Sequence, residues 1–80
     1  MDTEEIINRI TPIFADIFGN PDIQLSESTT ADDIEKWDSL TNVNLIMAIE
    51  KEFGIRFALG ELKQLKNVGE MMRLVQEKSA

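Results

Sequence analysis

The chain has 80 residues, of which 42% are hydrophobic and 29% are charged. This length and balance predict a single small domain, residues 1–80, that folds around a thin core. The lack of cysteine and histidine excludes disulfides and removes the usual zinc and haem ligands, so we expect no metal site. A net charge of −7 disfavours nucleic acid and anionic lipid as partners and favours basic protein surfaces.

The first predicted element is a helix over residues 3–18. Its apolar residues recur at intervals of three and four, as on one buried helix face, and they are Ile6, Ile10, Ile13, Phe14 and Ile17. Asp2 and Glu5 can cap its start. Because Pro12 lacks a backbone donor and clashes with the preceding turn, we expect a kink or a restart at Thr11-Pro12.

A long loop follows the first helix. The stretch "GNPD" ends that helix with glycine and proline, and the next periodic segment begins only near residue 39. Loops of this length are uncommon in compact domains unless they are functional or anchored. We expect an ordered loop that Ile23, Leu25 and Ile34 hold against the helices, with a short turn near Asp32 to Ile34.

The second long helix is predicted from about residue 39 to Gly54, where glycine suits the C-cap. Its apolar positions predict one broad apolar face that comprises Leu40, Val43, Leu45, Ile46, Met47, Ile49 and Phe53. The next segment, "ALGELKQL", allows only a turn or two of helix, with its leucines at positions 59, 62 and 65.

The last predicted helix follows Asn67. Asn67 and Glu70 are spaced as a capping box, and the apolar side of the helix comprises Val68, Met71, Met72, Leu74 and Val75. The sequence therefore predicts an all-α fold, a four-helix bundle with three main helices and one short helix.

The N-terminal sequence and the lengths of the apolar stretches bear on where the protein is expected to be. The N-terminus, "MDTEEIINRI", begins with acids rather than with a basic region and an apolar run. No stretch approaches the ~20 apolar residues of a membrane span. We expect a cytoplasmic protein that does not associate with membranes, and we expect it to be a monomer.

The stretch "EKWDSL", residues 35–40, places the only tryptophan and an Asp-Ser pair directly before the second helix. One interpretation is structural, because Asp and Ser are favoured helix caps. A catalytic serine needs a base to take its proton, and the chain has no histidine, so we expect no enzymatic activity. A third interpretation is that a separate enzyme supplies the base and an activated donor. Ser39 then supplies an exposed hydroxyl where the helix dipole tolerates an attached phosphodiester.

The order of several motifs resembles the acyl carrier protein family. These are "FADIFGN" at the end of the first helix, "WDSLTNVNLIMAIEKEFGIRF" across the second, and "NVGEMMRLV" in the last. The resemblance spans nearly the whole chain. It implies that Ser39 carries 4′-phosphopantetheine, which a phosphopantetheinyl transferase takes from coenzyme A, and that the arm bears acyl groups as thioesters.

The resemblance also assigns candidate site residues. Cofactor attachment involves Ser39 with its neighbours Asp38 and Leu40. The surface for partner enzymes comprises Trp37, Asp38, Leu40, Thr41, Asn44, Met47, Glu50 and Lys51. Residues that can line an acyl pocket are Met47, Ile49, Ile55, Phe57, Leu62 and Met71. The expected partners are the transferase and acyl-loading, ligase or synthase enzymes with basic docking surfaces.

The chain departs from typical fatty-acid carriers, whose second helix presents acidic residues to partners. The corresponding positions here hold Thr41, Asn44 and Lys51. Trp37 also replaces the small or flexible residue that is frequent there, and we expect it to anchor the loop, with a partner contact as the alternative. These departures favour a stand-alone carrier of a specialised pathway. An aminoacyl or peptidyl carrier and an unmodified helical interaction domain stay open as alternatives.

Overall fold

A computed structural model of the chain describes residues 2–62, 65 and 67–79, and these residues form four helices and no strand. The helices are α1, Thr3–Phe18; α2, Ser39–Phe53; α3, Leu59–Leu62; and α4, Val68–Lys78. Helix α1 packs against both α2 and α4. The predicted all-α architecture of three main helices and one short helix is confirmed.

The core within the described residues contains no buried polar or charged side chain. The apolar stripes predicted for α1 and α4 both face it. The broad apolar face predicted for α2 is covered only in part, because Leu45, Ile46 and Ile49 are buried whereas Leu40, Val43 and Met47 are exposed. Helix α1 packs against α2, and the side of α2 that carries Val43 and Met47 stays exposed.

Helix α1 runs without interruption through Pro12, so the predicted restart is wrong. The Thr11 hydroxyl donates a hydrogen bond of 2.6 Å to the Ile7 carbonyl in the turn before the proline. Ile10 and Phe14, one on each side of Pro12, are fully buried and hold both halves against the same core. Tertiary packing therefore outweighs the missing backbone donor.

The ends of α1 carry the expected caps. The Asp2 carboxylate accepts a 2.8 Å hydrogen bond from the Glu5 amide, as predicted. At the other end Gly19 adopts a left-handed conformation with φ of 64°, and its amide donates to the Ala15 carbonyl. Helix α2 ends in the same way at Gly54, which has φ of 65°.

The long loop is anchored to the bundle by apolar side chains and by backbone hydrogen bonds. Its apolar residues, partly buried against the core as predicted, are Ile23, Leu25 and Ile34. Its backbone also caps α4, since the Thr29 carbonyl accepts from the Val68 amide at 2.8 Å and the Glu27 carbonyl accepts from the Gly69 amide at 3.0 Å. The loop carbonyls therefore satisfy free donors at the start of α4.

The predicted turn in this loop lies at residues 30–33, where the Asp33 amide donates to the Thr30 carbonyl at 3.0 Å.

Only one of the two hydrogen bonds of the capping box predicted for α4 forms. The Asn67 side chain accepts from the Glu70 amide at 2.7 Å, while the Glu70 carboxylate pairs with Arg73.

Glu61 caps the start of the short helix α3 and ties it to α4. Its carboxylate accepts a 2.7 Å hydrogen bond from the Ala58 amide and forms a 2.8 Å ion pair with Lys78 of α4. The hydrogen bond with Lys78 and the Ala58 amide hold the pKa of Glu61 below its ordinary value of 4.5. Glu61 therefore connects α3 to the C-terminal turn of α4 through its charged form.

We expect the substitution Gly69→Ala to destabilise the fold. A Cβ atom at position 69 meets the Glu27 carbonyl oxygen at 2.7 Å, and a backbone atom cannot move aside cheaply. Gly60, also helical, has no atom within 4 Å of such a Cβ and provides the matched control. Urea unfolding should show a loss of about 1–3 kcal/mol for Gly69→Ala and no loss for Gly60→Ala. Equal stabilities would contradict the close approach of the loop.

We expect Glu61→Gln to lower stability in a pH-dependent way. Because the folded state depresses the pKa of Glu61, the charged form favours folding. This contribution is present above the ordinary pKa of 4.5 and is lost as the pH falls through the lower folded value. Thermal unfolding at neutral pH should rank wild type above the variant, and the gap should close in acid. A gap that stays constant into acid would contradict this role.

Candidate functional site

The candidate site is the start of α2, which Asp38 caps. One oxygen of the Asp38 carboxylate accepts hydrogen bonds of 3.0 Å from the Leu40 amide and 3.0 Å from the Thr41 amide. The hydrogen bond from the Thr41 amide is the main cause that lowers the pKa of Asp38, and the Thr41 hydroxyl and the Leu40 amide add to it, while desolvation acts in the opposite direction. Asp38 therefore stays ionised at neutral pH and holds the first turn of α2 together.

Ser39 is the first residue of this helix, and its side chain is exposed. No hydrogen bond joins its hydroxyl to the described part of the chain. A shallow surface depression of about 320 Å³ adjoins it, lined by Ala31, Asp32, Trp37, Asp38, Ser39 and Asn42. The hydroxyl is thus accessible, and no partner among the described residues competes for it.

Thr41 fixes the turn that leads into the helix. Its hydroxyl donates to the Lys36 carbonyl at 2.6 Å and accepts from the Asp38 amide at 2.9 Å, which completes a capping box. Lys36 has a left-handed φ of 75°, a conformation that costs a non-glycine residue about 1–2 kcal/mol. Thr41 was predicted as a partner contact, but its half-buried hydroxyl is committed to this turn.

Trp37 anchors the loop immediately before the site. Its side chain is only 7% exposed and meets the Phe14 ring edge-on, with centroids 5.3 Å apart and an angle of 84°. Its indole Nε1 donates a 2.9 Å hydrogen bond to the Asn42 side chain on the first turn of α2. The anchoring role expected from the sequence is confirmed, and little of the side chain is left for a partner.

Asn42 has a structural role that the sequence reasoning missed. Its carbonyl oxygen is the partner of the only tryptophan in the chain. A buried indole N–H needs a hydrogen-bond acceptor. The sequence offered one, because Asn42 is a polar residue on the first turn of the helix that follows Trp37. The bond joins the end of the loop to α2 and so holds Ser39 between two fixed points.

An exposed apolar stripe runs along α2 from the residue after Ser39. Leu40, Val43 and Met47 are 73%, 54% and 62% exposed. Their spacing of three and four places them on one side of the helix, where Asn44 is also exposed. Contiguous exposed apolar residues of this kind mark interaction surfaces more often than isolated ones do.

Two of the charged residues predicted for the partner surface, Glu50 and Lys51, lie at the far end of α2, whereas Asp38 lies at its start. The Glu50 carboxylate accepts a 2.9 Å hydrogen bond from the Phe57 amide and so holds the connection between α2 and α3. Lys51 is exposed. Together with Met47, Ile55 and Arg56 it borders a surface depression of about 530 Å³.

The six residues predicted for an acyl pocket do not form one group. Ile49, Ile55 and Met71 are buried in the core, and Phe57 and Leu62 are partly buried against it. Met47 lies outside this cluster on the surface. The side chains of Met47 and Met71 therefore lie in different environments.

Within the described residues, no cluster of three or more acidic side chains is arranged to hold a metal ion. No helix in this part of the chain is long and apolar enough to cross a membrane.

The site offers a free hydroxyl at a helix start, and the chain supplies no histidine or cysteine to activate it. This geometry suits a group that another enzyme attaches, and the positive end of the helix dipole fits an anionic linker.

Comparison with known proteins identifies that group. The model of the phosphopantetheine attachment site matches residues 8–75. The chain is also 35% identical to an acyl carrier protein of Thermosynechococcus vestitus, over 100% of the chain and 99% of the relative. The chain belongs to the acyl carrier protein family. Phosphopantetheine is the prosthetic group of this family, so the alternative of an unmodified interaction domain is set aside.

Further members of the acyl carrier protein family agree in sequence and in fold. An acyl carrier protein of Acidothermus cellulolyticus is 39% identical over 84% of the chain and 80% of the relative. The solution NMR structure of a holo acyl carrier protein from Geobacter metallireducens is 46% identical, with a TM-score of 0.84, over 91% of this chain and 84% of that one. The family recognised from the sequence is confirmed, and it is a family of carriers rather than of catalysts.

We expect Trp37 and Asn42 to contribute to stability as a coupled pair. Asn42→Ala leaves a buried indole N–H without its acceptor and should cost about 1–3 kcal/mol. Trp37→Phe removes the donor itself, so the double variant should lose about 1 kcal/mol less than the sum of the two single losses. Urea unfolding followed by circular dichroism provides all three values. Additive losses would contradict the coupling.

Proposed function

We propose that Ser39 is the attachment point of the 4′-phosphopantetheine arm. The observation that carries this proposal is an exposed hydroxyl, with no hydrogen bond to the described residues, on the first residue of a capped helix. The matched region of the family, residues 8–75, includes this position. Asp38 and Leu40 act beside it, Asp38 as the cap and Leu40 as the first exposed apolar contact.

The attachment step needs no base from the chain. The Ser39 oxygen forms a bond to the phosphorus that carries the pantetheine half of coenzyme A. The pyrophosphate bond breaks and the nucleotide half leaves with its electron pair. A phosphopantetheinyl transferase takes the hydroxyl proton. Once attached, the arm supplies a thiol that holds acyl groups as thioesters, and the chain itself acts as a carrier without catalytic activity.

We propose that partner enzymes dock on the exposed side of α2. Residues with accessible side chains on this side are Leu40, Val43, Asn44, Met47 and Lys51. An apolar stripe that begins directly after Ser39 lets an enzyme bind the helix while its active site receives the arm. The partners in this proposal are the transferase and enzymes that load, ligate or condense acyl groups. Thr41, Glu50 and Trp37 support this surface from within through their internal bonds.

We also propose an acyl pocket, which can form only if part of the structure opens to admit the acyl chain. Ile49 and Met71 are fully buried in the core, so an acyl chain reaches them only if the connection between α2 and α3 moves aside. Phe57 lies in that connection, which Glu50 holds with one hydrogen bond. Each methylene that enters the core is worth about 0.8 kcal/mol, which is comparable to the loss of that bond.

The proposed cargo is an acyl group in a dedicated pathway. The relatives are acyl carrier proteins, which favours acyl over aminoacyl cargo. Thr41, Asn44 and Lys51 make α2 less acidic than the net charge suggests. This composition favours a set of partners other than that of a housekeeping fatty-acid carrier.

The purified apo chain, incubated with coenzyme A, magnesium and a promiscuous phosphopantetheinyl transferase, should gain the mass of one phosphopantetheine group. Ser39→Ala should abolish the gain, because the attacking oxygen is removed. Ser28→Ala, which removes another exposed hydroxyl, should keep it. Intact-mass spectrometry measures all three chains.

A mass gain that persists in Ser39→Ala would place the arm on another residue. A folded wild-type chain that gains no mass would refute modification altogether. Circular dichroism of each chain establishes that a negative result does not come from unfolding.

A further inference from the structure

The charges of the chain are divided unevenly on the two sides of Ser39. Residues 19–38 contain six of the 15 acids and one of the 8 bases. Residues 39–58 contain two acids and two bases. The loop side of Ser39 therefore carries much of the net negative charge, whereas α2 and the segment after it carry none.

The two acids of α2 are held by internal contacts. The Glu52 carboxylate forms a 2.9 Å ion pair with Arg9 of α1, so its charge is balanced and lies toward that helix. The Glu50 carboxylate accepts from the Phe57 amide at 2.9 Å and is half-buried. Glu52 is exposed and Glu50 is half-buried, but each carboxylate already has an internal partner that offsets its charge or occupies its oxygen.

The two bases of this segment are presented to solvent. Lys51 and Arg56 are both exposed and form no ion pair within the described residues. They border the depression of about 530 Å³ that Met47 and Ile55 also line. Glu50 lines the same depression, but its carboxylate is bonded to the Phe57 amide, so the accessible charges at this end of α2 are the two cations beside apolar side chains.

The end of the surface beside Ser39 carries negative rather than positive charge. Asp32 and Asp38, both exposed, border the depression beside Ser39. The apolar stripe of Leu40, Val43 and Met47 lies between the acidic end and the basic end. The docking side of α2 is thus acidic beside Ser39, apolar along its middle and basic at its end.

We propose that the partner enzymes of this carrier have a matching surface: an apolar recess over Leu40 and Met47, and a carboxylate side chain opposite Lys51 and Arg56. This proposal rests on the proposed function of Ser39 and α2. Electrostatic complementarity sets association rates and fixes the register of docking, and like charges placed together reject wrong partners. Lys51 and Arg56 therefore select against carrier-binding enzymes whose surface is basic along its whole length.

The test uses the modified chain and a purified fatty-acid acyltransferase whose own crystal structure has a carrier-binding surface that is basic along its length. The variants are Lys51→Gln/Arg56→Gln and the reversal Lys51→Glu/Arg56→Glu. The control Asn8→Glu/Gln24→Glu has the same net charge as the first variant but places the added charge on other exposed positions. Each chain first receives its arm from the promiscuous transferase.

The reversal should raise kcat/KM for acyl transfer by about tenfold, and the neutral variant should give a smaller increase. The control should stay near wild type, and the differences should shrink in high salt because exposed charges are screened. A reversal that leaves the rate unchanged at low salt, or a control that gains as much as Lys51→Gln/Arg56→Gln, would overturn the proposal. A wild-type chain that takes no arm would instead refute the proposed function, so the two failures are distinguishable.

Discussion

The tie between Trp37 and the helices is the constraint on which the presentation of Ser39 depends. The indole packs edge-on against Phe14 and donates to Asn42 on the first turn of α2. Residues 37 and 38 directly precede the helix, so this tie fixes the direction in which the chain enters it. Asp38 can then accept two amides of the first turn. Ser39 is thereby placed as the first residue of the helix, with its side chain exposed.

The same arrangement separates a rigid scaffold from a surface that partners can use. The core of the described residues contains no buried polar side chain, and loop carbonyls occupy the free amides at the start of α4. Stability therefore does not depend on the exposed side of α2. Different partners can bind the exposed side chains of Leu40, Val43 and Met47 without disturbing the fold, because these side chains contribute little to the core.

Local patterns predicted much of the fold. The periodicities of α1 and α4, their caps at Asp2 and Asn67, and the glycine that ends α2 all agree with the structure. The interruption expected at Pro12 was wrong, because propensity describes an isolated helix and the buried neighbours of the proline decide the outcome. The bonds of Thr41 and Asn42 were not predictable, since they depend on the path of a long loop.

The limits of prediction at the site have one physical origin. Periodicity identifies which residues of α2 are apolar, but the neighbouring helices decide which of them are covered. Leu45 and Ile49 are buried in the core, whereas Val43 and Met47 on the same helix are exposed. Net charge has the same limitation, because a value of −7 describes the chain and not any one face. A partner encounters the local pattern, so the positions of charges around Ser39 decide which enzyme surfaces match it.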